Sequence, residues 1–231
     1  METELKYYLL LFFVSAILGW CLEVVCKQVQ LHRFINRGFL IGPYCPIYGV
    51  GAVSVTMLLS RYEDSPFAVF GLAILICGTL EYVTSFLMEK LFHARWWDYT
   101  GRRFQLNGRV SADTLVPFGL LGLVMIYCLK PWFFNLLSKV SISVLDYLCV
   151  ILCVMMITDT GISSWALIRI RVRAEHVEGD STEAITAAVH TLLQKESAVV
   201  RRALYAFPDA RIYNSKLVKR LKEKRLLNKA E

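Results

Sequence analysis

The fold of this chain is decided first by the stretch YYLLLFFVSAILGWCLEVVC, residues 7–26, in which Glu23 is the only charged side chain. An α-helix of about 20 apolar residues crosses the hydrocarbon core of a bilayer, which is about 30 Å thick. Glu2 and Glu4 precede the stretch where a signal peptide would carry basic residues, and no small-residue cleavage site follows it. We therefore expect a membrane helix that is retained.

Four further apolar runs follow at residues 43–60, 67–87, 115–129 and 142–168. Over the whole chain 56% of the residues are hydrophobic, 19% are charged and the mean hydropathy is +0.47. A water-soluble globule needs more polar surface than this composition supplies. The sequence therefore predicts an all-α, polytopic membrane protein with about five transmembrane helices, in a domain that covers residues 1–170.

Three prolines help to place the ends of these helices. Proline lacks a backbone N–H, so it is tolerated in the first turn of a helix and in loops. We expect Pro43 in the first turn of the second helix, and Pro66 and Pro131 in short loops.

The C-terminal part of the chain has a different composition. Residues 169–231 hold 14 Lys and Arg against 8 Asp and Glu, whereas residues 1–168 hold 12 against 11. Asp180 and Glu183 have the spacing of a helix capping box, and Phe207-Pro208 is expected to end the helix that follows. A second helix is predicted at residues 212–228. Residues 171–231 are thus predicted to form a basic, helical, cytoplasmic tail.

The positions of Lys and Arg between the apolar runs predict the orientation. Basic residues are concentrated after the first run, after the third run and in the tail, and cytoplasmic loops carry such an excess. We expect the N-terminus outside and the C-terminus inside a bacterial inner membrane. Membrane lipids are then the nearest partner of the basic tail, and nucleic acid is not expected.

The most distinctive segment is residues 36–51, with prolines and glycines at the mouth of the second helix. One interpretation is a re-entrant or half-helix element whose free N–H groups face an anion. The alternative is a tight loop with small residues for helix packing. The candidate residues here are Asn36, Arg37, Gly42, Pro43, Tyr44, Cys45, Pro46 and Tyr48.

Apart from Asp146, near the outer end of the fifth run, three acidic residues lie inside apolar runs, where a charge is costly and usually functional. They are Glu23, Glu81 and Asp159. We expect Glu81 and Asp159 to face the interior of the helix bundle and to form the membrane site with residues 36–51. Glu23 either joins this site or forms an ion pair at the membrane interface with Lys27, one turn later.

A third candidate region combines aromatic residues and arginines between the third and fourth runs. It could bind an anionic headgroup, a phosphorylated ligand or a cytoplasmic partner, or it could be an aromatic belt at the membrane interface. The candidate residues are Arg95, Trp96, Trp97, Asp98, Tyr99, Arg102, Arg103, Asn107 and Arg109.

Catalytic and metal-binding motifs do not occur in the sequence. It contains no G-x-S-x-G, H-E-x-x-H or Walker A motif, and its seven cysteines lack the spacing of a zinc site. The chain is therefore not expected to be an enzyme or to hold a metal or cofactor. Any energy from ATP has to come from another subunit.

Several strings together resemble the bacterial family of CmpB-like membrane proteins, ABC-transporter type IV. The strings are Gly19-Trp20-Cys21-Leu22-Glu23, residues 36–51, Leu80-Glu81-Tyr82, Glu89-Lys90-Leu91-Phe92-His93, residues 95–99, Leu106-Asn107-Gly108-Arg109 and, more loosely, Arg202-Ala203-Leu204-Tyr205-Ala206-Phe207-Pro208.

The resemblance implies a membrane component of an ABC-type transporter, non-catalytic by itself, that works with a separate ATPase subunit. No stretch matches the EAA-type loop through which importer permeases engage their ATPase. Five helices are few for a complete pathway, so we expect a homo-oligomer or a hetero-complex. The alternatives are a regulatory or scaffolding protein that acts through its tail, and a membrane-embedded enzyme that uses Glu23 or Glu81 on a lipid headgroup.

Overall fold

Helices dominate the part of the chain that the computed structural model describes, which is residues 2–32, 36, 38–92, 94–175, 197–206 and 211–212. The helices are α1 (Glu2–Leu31), α2 (Pro46–Leu59), α3 (Pro66–Phe92), α4 (Ala112–Val124), α5 (Lys130–Leu137), α6 (Ile142–Glu175) and α7 (Ala198–Ala206).

Four helical runs are long and apolar enough to cross a membrane by length and composition. They are Glu2–Gln30, Pro66–Phe92, Ala112–Leu137 and Ile142–Val172. The predicted fold class, an all-α polytopic membrane protein, is confirmed.

The few strands are two residues long and form two antiparallel pairs. In the first pair, β1 (Ala94–Arg95) lies beside β4 (Arg211–Ile212). In the second, β2 (Gln105–Leu106) lies beside β3 (Val110–Ser111), forming a hairpin that leads into α4.

The second apolar run forms a helix that is shorter than the predicted 43–60. Helix α2 has 14 residues, which at 1.5 Å per residue is about 21 Å, less than the hydrocarbon core. It begins at Pro46, so the expectation that Pro43 lies in its first turn is wrong. The backbone N–H of Tyr44 donates to the Gly42 carbonyl at 2.9 Å, which makes a tight turn around Pro43 that is incompatible with a helix.

The fourth apolar run is longer than predicted, and the expected loop at Pro131 is wrong. A π turn at Met125–Leu129 joins α4 to α5, and Pro131 lies in the first turn of α5. A π turn widens the helix by one residue, so the proline ring avoids the clash and the lost hydrogen bond that it would cause in a regular α-helix. Pro66 is the first residue of α3.

The chain divides into two compact units. One comprises residues 1–84 and 99–160, and the other comprises residues 85–98 and 161–231. The predicted boundary at residue 170 between membrane domain and tail stays a prediction, as does the orientation. The expected capping box at Asp180, the expected helix end at Phe207-Pro208 and residues 213–228 of the last predicted helix lie outside the described residues, and Ile212 lies in β4.

The core of the first unit lies between α1 to α6 and includes Leu10, Leu11, Val55, Leu59 and Val69. Close approach of the helices depends on glycines, because a side chain at these positions would overlap a neighbour. A Cβ at Gly49 would overlap the Phe12 ring, and one at Gly122 would overlap the Cβ of Ala73. Small residues at helix contacts are typical of membrane proteins.

We predict that Gly122→Ala destabilises the protein, because the new methyl group overlaps Ala73. Overpacking of this kind costs about 1–3 kcal/mol in the free energy of unfolding. The midpoint of thermal unfolding in detergent should fall. Gly71→Ala is the matched control, since nothing lies within 4 Å of a Cβ there, and it should be neutral or stabilising through helix propensity. Equal shifts for both variants would contradict this packing.

Candidate functional site

Each of the three acidic residues predicted for the membrane site accepts a hydrogen bond from a tyrosine hydroxyl. Burial of a carboxylate is costly unless hydrogen-bond donors replace the water that it loses. The donor–acceptor pairs are Tyr48 to Glu23 at 2.8 Å, Tyr99 to Glu81 at 3.1 Å and Tyr44 to Asp159 at 2.8 Å.

Asp159 accepts hydrogen bonds from three donors. Its side chain is buried in α6, and it holds residues 38–45, which we name the entry segment because they lead into α2. Its Oδ1 accepts the backbone N–H of Ile41 at 2.8 Å, and its Oδ2 accepts the N–H of Gly42 at 2.7 Å and the hydroxyl of Tyr44. Three donors on two oxygens match the acceptor-only character of an ionised carboxylate.

The entry segment also bonds to the middle of α1. The N–H of Cys45 donates to the carbonyl of Ala16 at 2.9 Å, and the indole Nε1 of Trp20 donates to Oδ1 of Asn36 at 2.8 Å. Leu40 is fully buried against Ala16. The backbone of residues 38–45 is thus packed against α1 and α6 although it is not helical.

The structure brings most of the residues predicted in this segment together. Asn36, Gly42, Tyr44 and Cys45 all belong to the contacts above, and Tyr48 belongs to the neighbouring pair with Glu23. Pro43 is exposed, and Pro46 is the first residue of α2. Arg37 lies outside the described residues.

Tyr48 links α2 to α1 through two features. Its hydroxyl donates to Glu23, and its ring lies so close to Gly19 that any side chain there would overlap it. Irregular backbone with polar contacts and small residues for helix packing thus occur together at residues 36–51, and the re-entrant, anion-facing interpretation stays a prediction.

Glu81 is the centre of a second polar cluster, on α3. It is buried, and it accepts the Tyr99 hydroxyl at Oε1. The hydroxyl of Thr114 lies 3.3 Å from Oε2 and 2.8 Å from the carbonyl of Ser111, so its single proton can serve either acceptor. Burial and the Glu81 carboxylate raise the pKa of Tyr99, which keeps this phenol protonated as a donor.

The β2–β3 hairpin encloses this cluster. Asn107 and Gly108 have φ of +53° and +68°, the left-handed backbone that a type I′ turn requires and that an Asn-Gly pair adopts readily. The Gly108 carbonyl accepts the N–H of Tyr99 at 2.8 Å, and the Asn107 amide donates to the Tyr82 hydroxyl at 2.9 Å. Arg109 lies over the Tyr82 ring, 5.8 Å from its centroid.

The arginines predicted for anion binding have internal partners at most positions. In the first unit, Arg102 pairs with Asp113 and stacks on Tyr99 at 4.9 Å, and Arg103 is exposed. In the second unit, Arg95 bonds to Glu89 at 3.0 Å and approaches Asp98 at 3.5 Å.

The two tryptophans of this region differ in exposure: Trp96 is buried and Trp97 is half-buried. Both belong to the second unit. Anion or partner binding by the residues of this region stays a prediction.

Sequence reasoning did not identify several residues that complete these clusters. Trp20, Tyr82, Asp113 and Thr114 lie 11 to 33 residues away in sequence from the groups that they contact. Trp20 and Tyr82 belong to strings that resemble the family, but nothing in the sequence assigned any of the four residues to a contact. Among the described residues, no group of three or more His, Cys, Asp and Glu side chains could hold a metal ion.

We predict that Asp159→Asn loosens the entry segment. The amide nitrogen cannot accept a hydrogen bond, and each bond to a charged acceptor contributes about 1.5–3 kcal/mol. The thiol of Cys45, which is 7% exposed, should then react with a membrane-permeant maleimide about ten-fold faster or more. Mass spectrometry identifies the labelled cysteine.

Asp146→Asn is the control for this experiment. Asp146 lies near the start of α6, is half exposed and pairs with Lys6. It should leave the labelling of Cys45 unchanged. Equal labelling of Cys45 in all three proteins would show that Asp159 does not hold the segment.

A double-mutant cycle should detect the Tyr99–Glu81 bond. We expect a coupling of about 1–2 kcal/mol between Tyr99→Phe and Glu81→Gln in the free energy of unfolding in detergent. Tyr127→Phe removes a comparable hydroxyl, which donates to the Glu63 carbonyl, and should be additive with Glu81→Gln. Additivity of both pairs would contradict the bond.

Comparison with known proteins was informative at the level of the family. A family model described as "Putative ABC-transporter type IV" matches residues 10–164. The match includes Glu23, Glu81, Asp159 and the entry segment, and ends before the tail. No curated protein and no solved structure matches the chain. Since the matched region is more than half of the chain, the protein belongs to the ABC-transporter type IV, CmpB-like family.

Proposed function

We propose that this protein is a permease-like subunit of an ABC-type transporter in the bacterial cell membrane, non-catalytic by itself and dependent on a separate ATPase subunit. Family membership supports the transporter assignment. The four apolar helices of spanning length support a multi-pass position in the membrane.

The observation that carries the proposal is the interrupted second crossing. Cys45 bonds to Ala16, the fifteenth residue of the 30-residue helix α1, so the non-helical backbone reaches the middle of that helix. From there α2 runs back along α1, with Gly49 against Phe12. In this proposal the entry segment and α2 together make one crossing, half irregular and half helical.

Interrupted crossings support transport for a physical reason. Non-helical backbone is tolerated at membrane depth only where protein surrounds it or where it lines a watery cavity. Transporters place substrate and ion sites at such discontinuous helices, near the middle of the bilayer. We therefore propose Glu23, Glu81, Asp159 and residues 36–48 as the membrane site.

The exposed surface of α6 supports an assembly of several subunits. In the most apolar 18-residue stretch of α6, only 11% of the residues are buried within the chain. This leaves a long apolar face for lipid or for another subunit. With few crossings in one chain, we propose that a homo-oligomer or a hetero-complex completes the pathway. The arginine-rich region from Arg95 to Arg109 stays our prediction for the cytoplasmic contact.

Purification from the native host in mild detergent tests the proposal. We expect an ATPase subunit to co-purify, and Glu81→Gln to impair transport in cells while leaving that complex assembled. Recovery without any ATPase, together with normal uptake and efflux in a deletion strain, would overturn the proposal.

A second candidate function is a scaffold that acts through the tail, and one contact favours it. Strand β4, in the tail, pairs with β1 directly after α3. Within the same unit, Arg171 donates to the Leu91 carbonyl at 2.9 Å, at the C-terminal end of α3. A scaffold predicts that deletion of residues 175–231 abolishes function while Glu81→Gln is harmless. The transporter proposal predicts that Glu81→Gln is harmful.

A further inference from the structure

Phe104 combines two unusual properties. Its φ is +54°, a left-handed backbone that bulky residues rarely adopt, and its side chain is 87% exposed. Such a backbone costs about 1–3 kcal/mol and persists only where the surrounding structure imposes it. Here the N–H of Ala112 donates to the Phe104 carbonyl at 3.0 Å and holds the residue in place.

That hydrogen bond also fixes the position of Phe104 relative to the membrane. Ala112 is the first residue of the helical run Ala112–Leu137, which is long and apolar enough to span the bilayer. Phe104 therefore lies beside the N-terminal end of this run, the end that faces a membrane boundary if the run spans the bilayer. Leu106, in the same hairpin, is 60% exposed.

Basic side chains accompany these exposed apolar side chains. Residues 100–113 contain three arginines against one aspartate. Arg109 is buried, but Arg103 is exposed and Arg102 is half exposed beside Asp113. At a membrane boundary, an aromatic ring can insert beneath the lipid headgroups while neighbouring arginines bind the headgroup phosphates.

We propose that the β2–β3 hairpin docks on the bilayer itself. Phe104 and Leu106 insert below the headgroups, and Arg102 and Arg103 bind the phosphates of anionic phospholipids. This inference narrows the predicted anion contact to one class of ligand, and it does not require that the protein belong to a transporter complex.

A lipid surface explains the observations better than a protein partner does. The hairpin is fixed by hydrogen bonds to α4, so its apolar side chains cannot move away from the membrane boundary. The surface is also small and basic, which matches a layer of negatively charged headgroups.

Phe104→Trp tests the proposal in the full chain. The protein is reconstituted in vesicles of equal parts phosphatidylcholine and phosphatidylglycerol, and the fluorescence of the five native tryptophans is subtracted using the unsubstituted protein. We expect bromine atoms in the upper part of the lipid acyl chains to quench most of the added fluorescence, and aqueous acrylamide to quench little of it. Gly101→Trp, at a position with open space around it, should show the reverse.

The charge requirement has its own control. Adding Arg103→Gln to Phe104→Trp should weaken docking about five-fold in these vesicles, and Arg61→Gln, an exposed arginine beyond α2, should not. Quenching of the added tryptophan by acrylamide but not by brominated lipid would overturn the proposal. Protection from both quenchers would do the same, because it would show a protein contact.

Discussion

The structure depends on one constraint: away from water, every backbone N–H and carbonyl needs a partner within the protein. The long helices satisfy it internally. Residues 38–45 cannot, and Asp159 provides two of the missing acceptors through a single carboxylate. The carboxylate in turn needs donors to remain buried, and the entry segment supplies them. The N–H groups of the entry segment and the Asp159 carboxylate thus replace the hydrogen bonds to water that each loses on burial. This explains why an acidic residue lies on the apolar helix α6.

The sequence was sufficient to predict the class of fold and the locations of its helical runs, because the length of an apolar stretch is set by the thickness of the bilayer. The sequence was not sufficient to predict where these helical runs begin and end. The start of α2 depends on a hydrogen bond from Gly42 to a residue 117 positions away, and no local pattern encodes such a partner. The prediction of a loop at Pro131 was wrong for a related reason. Proline usually breaks a helix, but the π turn before it allows the helical run to continue.

The acidic residues of the candidate site could be predicted from the sequence, but the residue that pairs with each of them could not. Glu23, Glu81 and Asp159 were identifiable because charge is rare in apolar runs. Their partners Tyr44, Tyr48 and Tyr99 were also among the candidate residues, but the sequence does not show which acid each hydroxyl contacts. The Asn107-Gly108 turn is an intermediate case, because the dipeptide predicts the turn type but not the contact with Tyr82.

The π turn at Met125–Leu129 has a consequence for which surfaces the fourth run presents. One extra residue in a turn rotates everything beyond it by about 100° around the helix axis. Gly122, before the turn, lies against Ala73 of α3, whereas Phe134, after it, contacts the rings of Tyr7 and Tyr8 on α1. A single inserted residue thus rotates the helix, so that the part before the π turn contacts α3 and the part after it contacts α1.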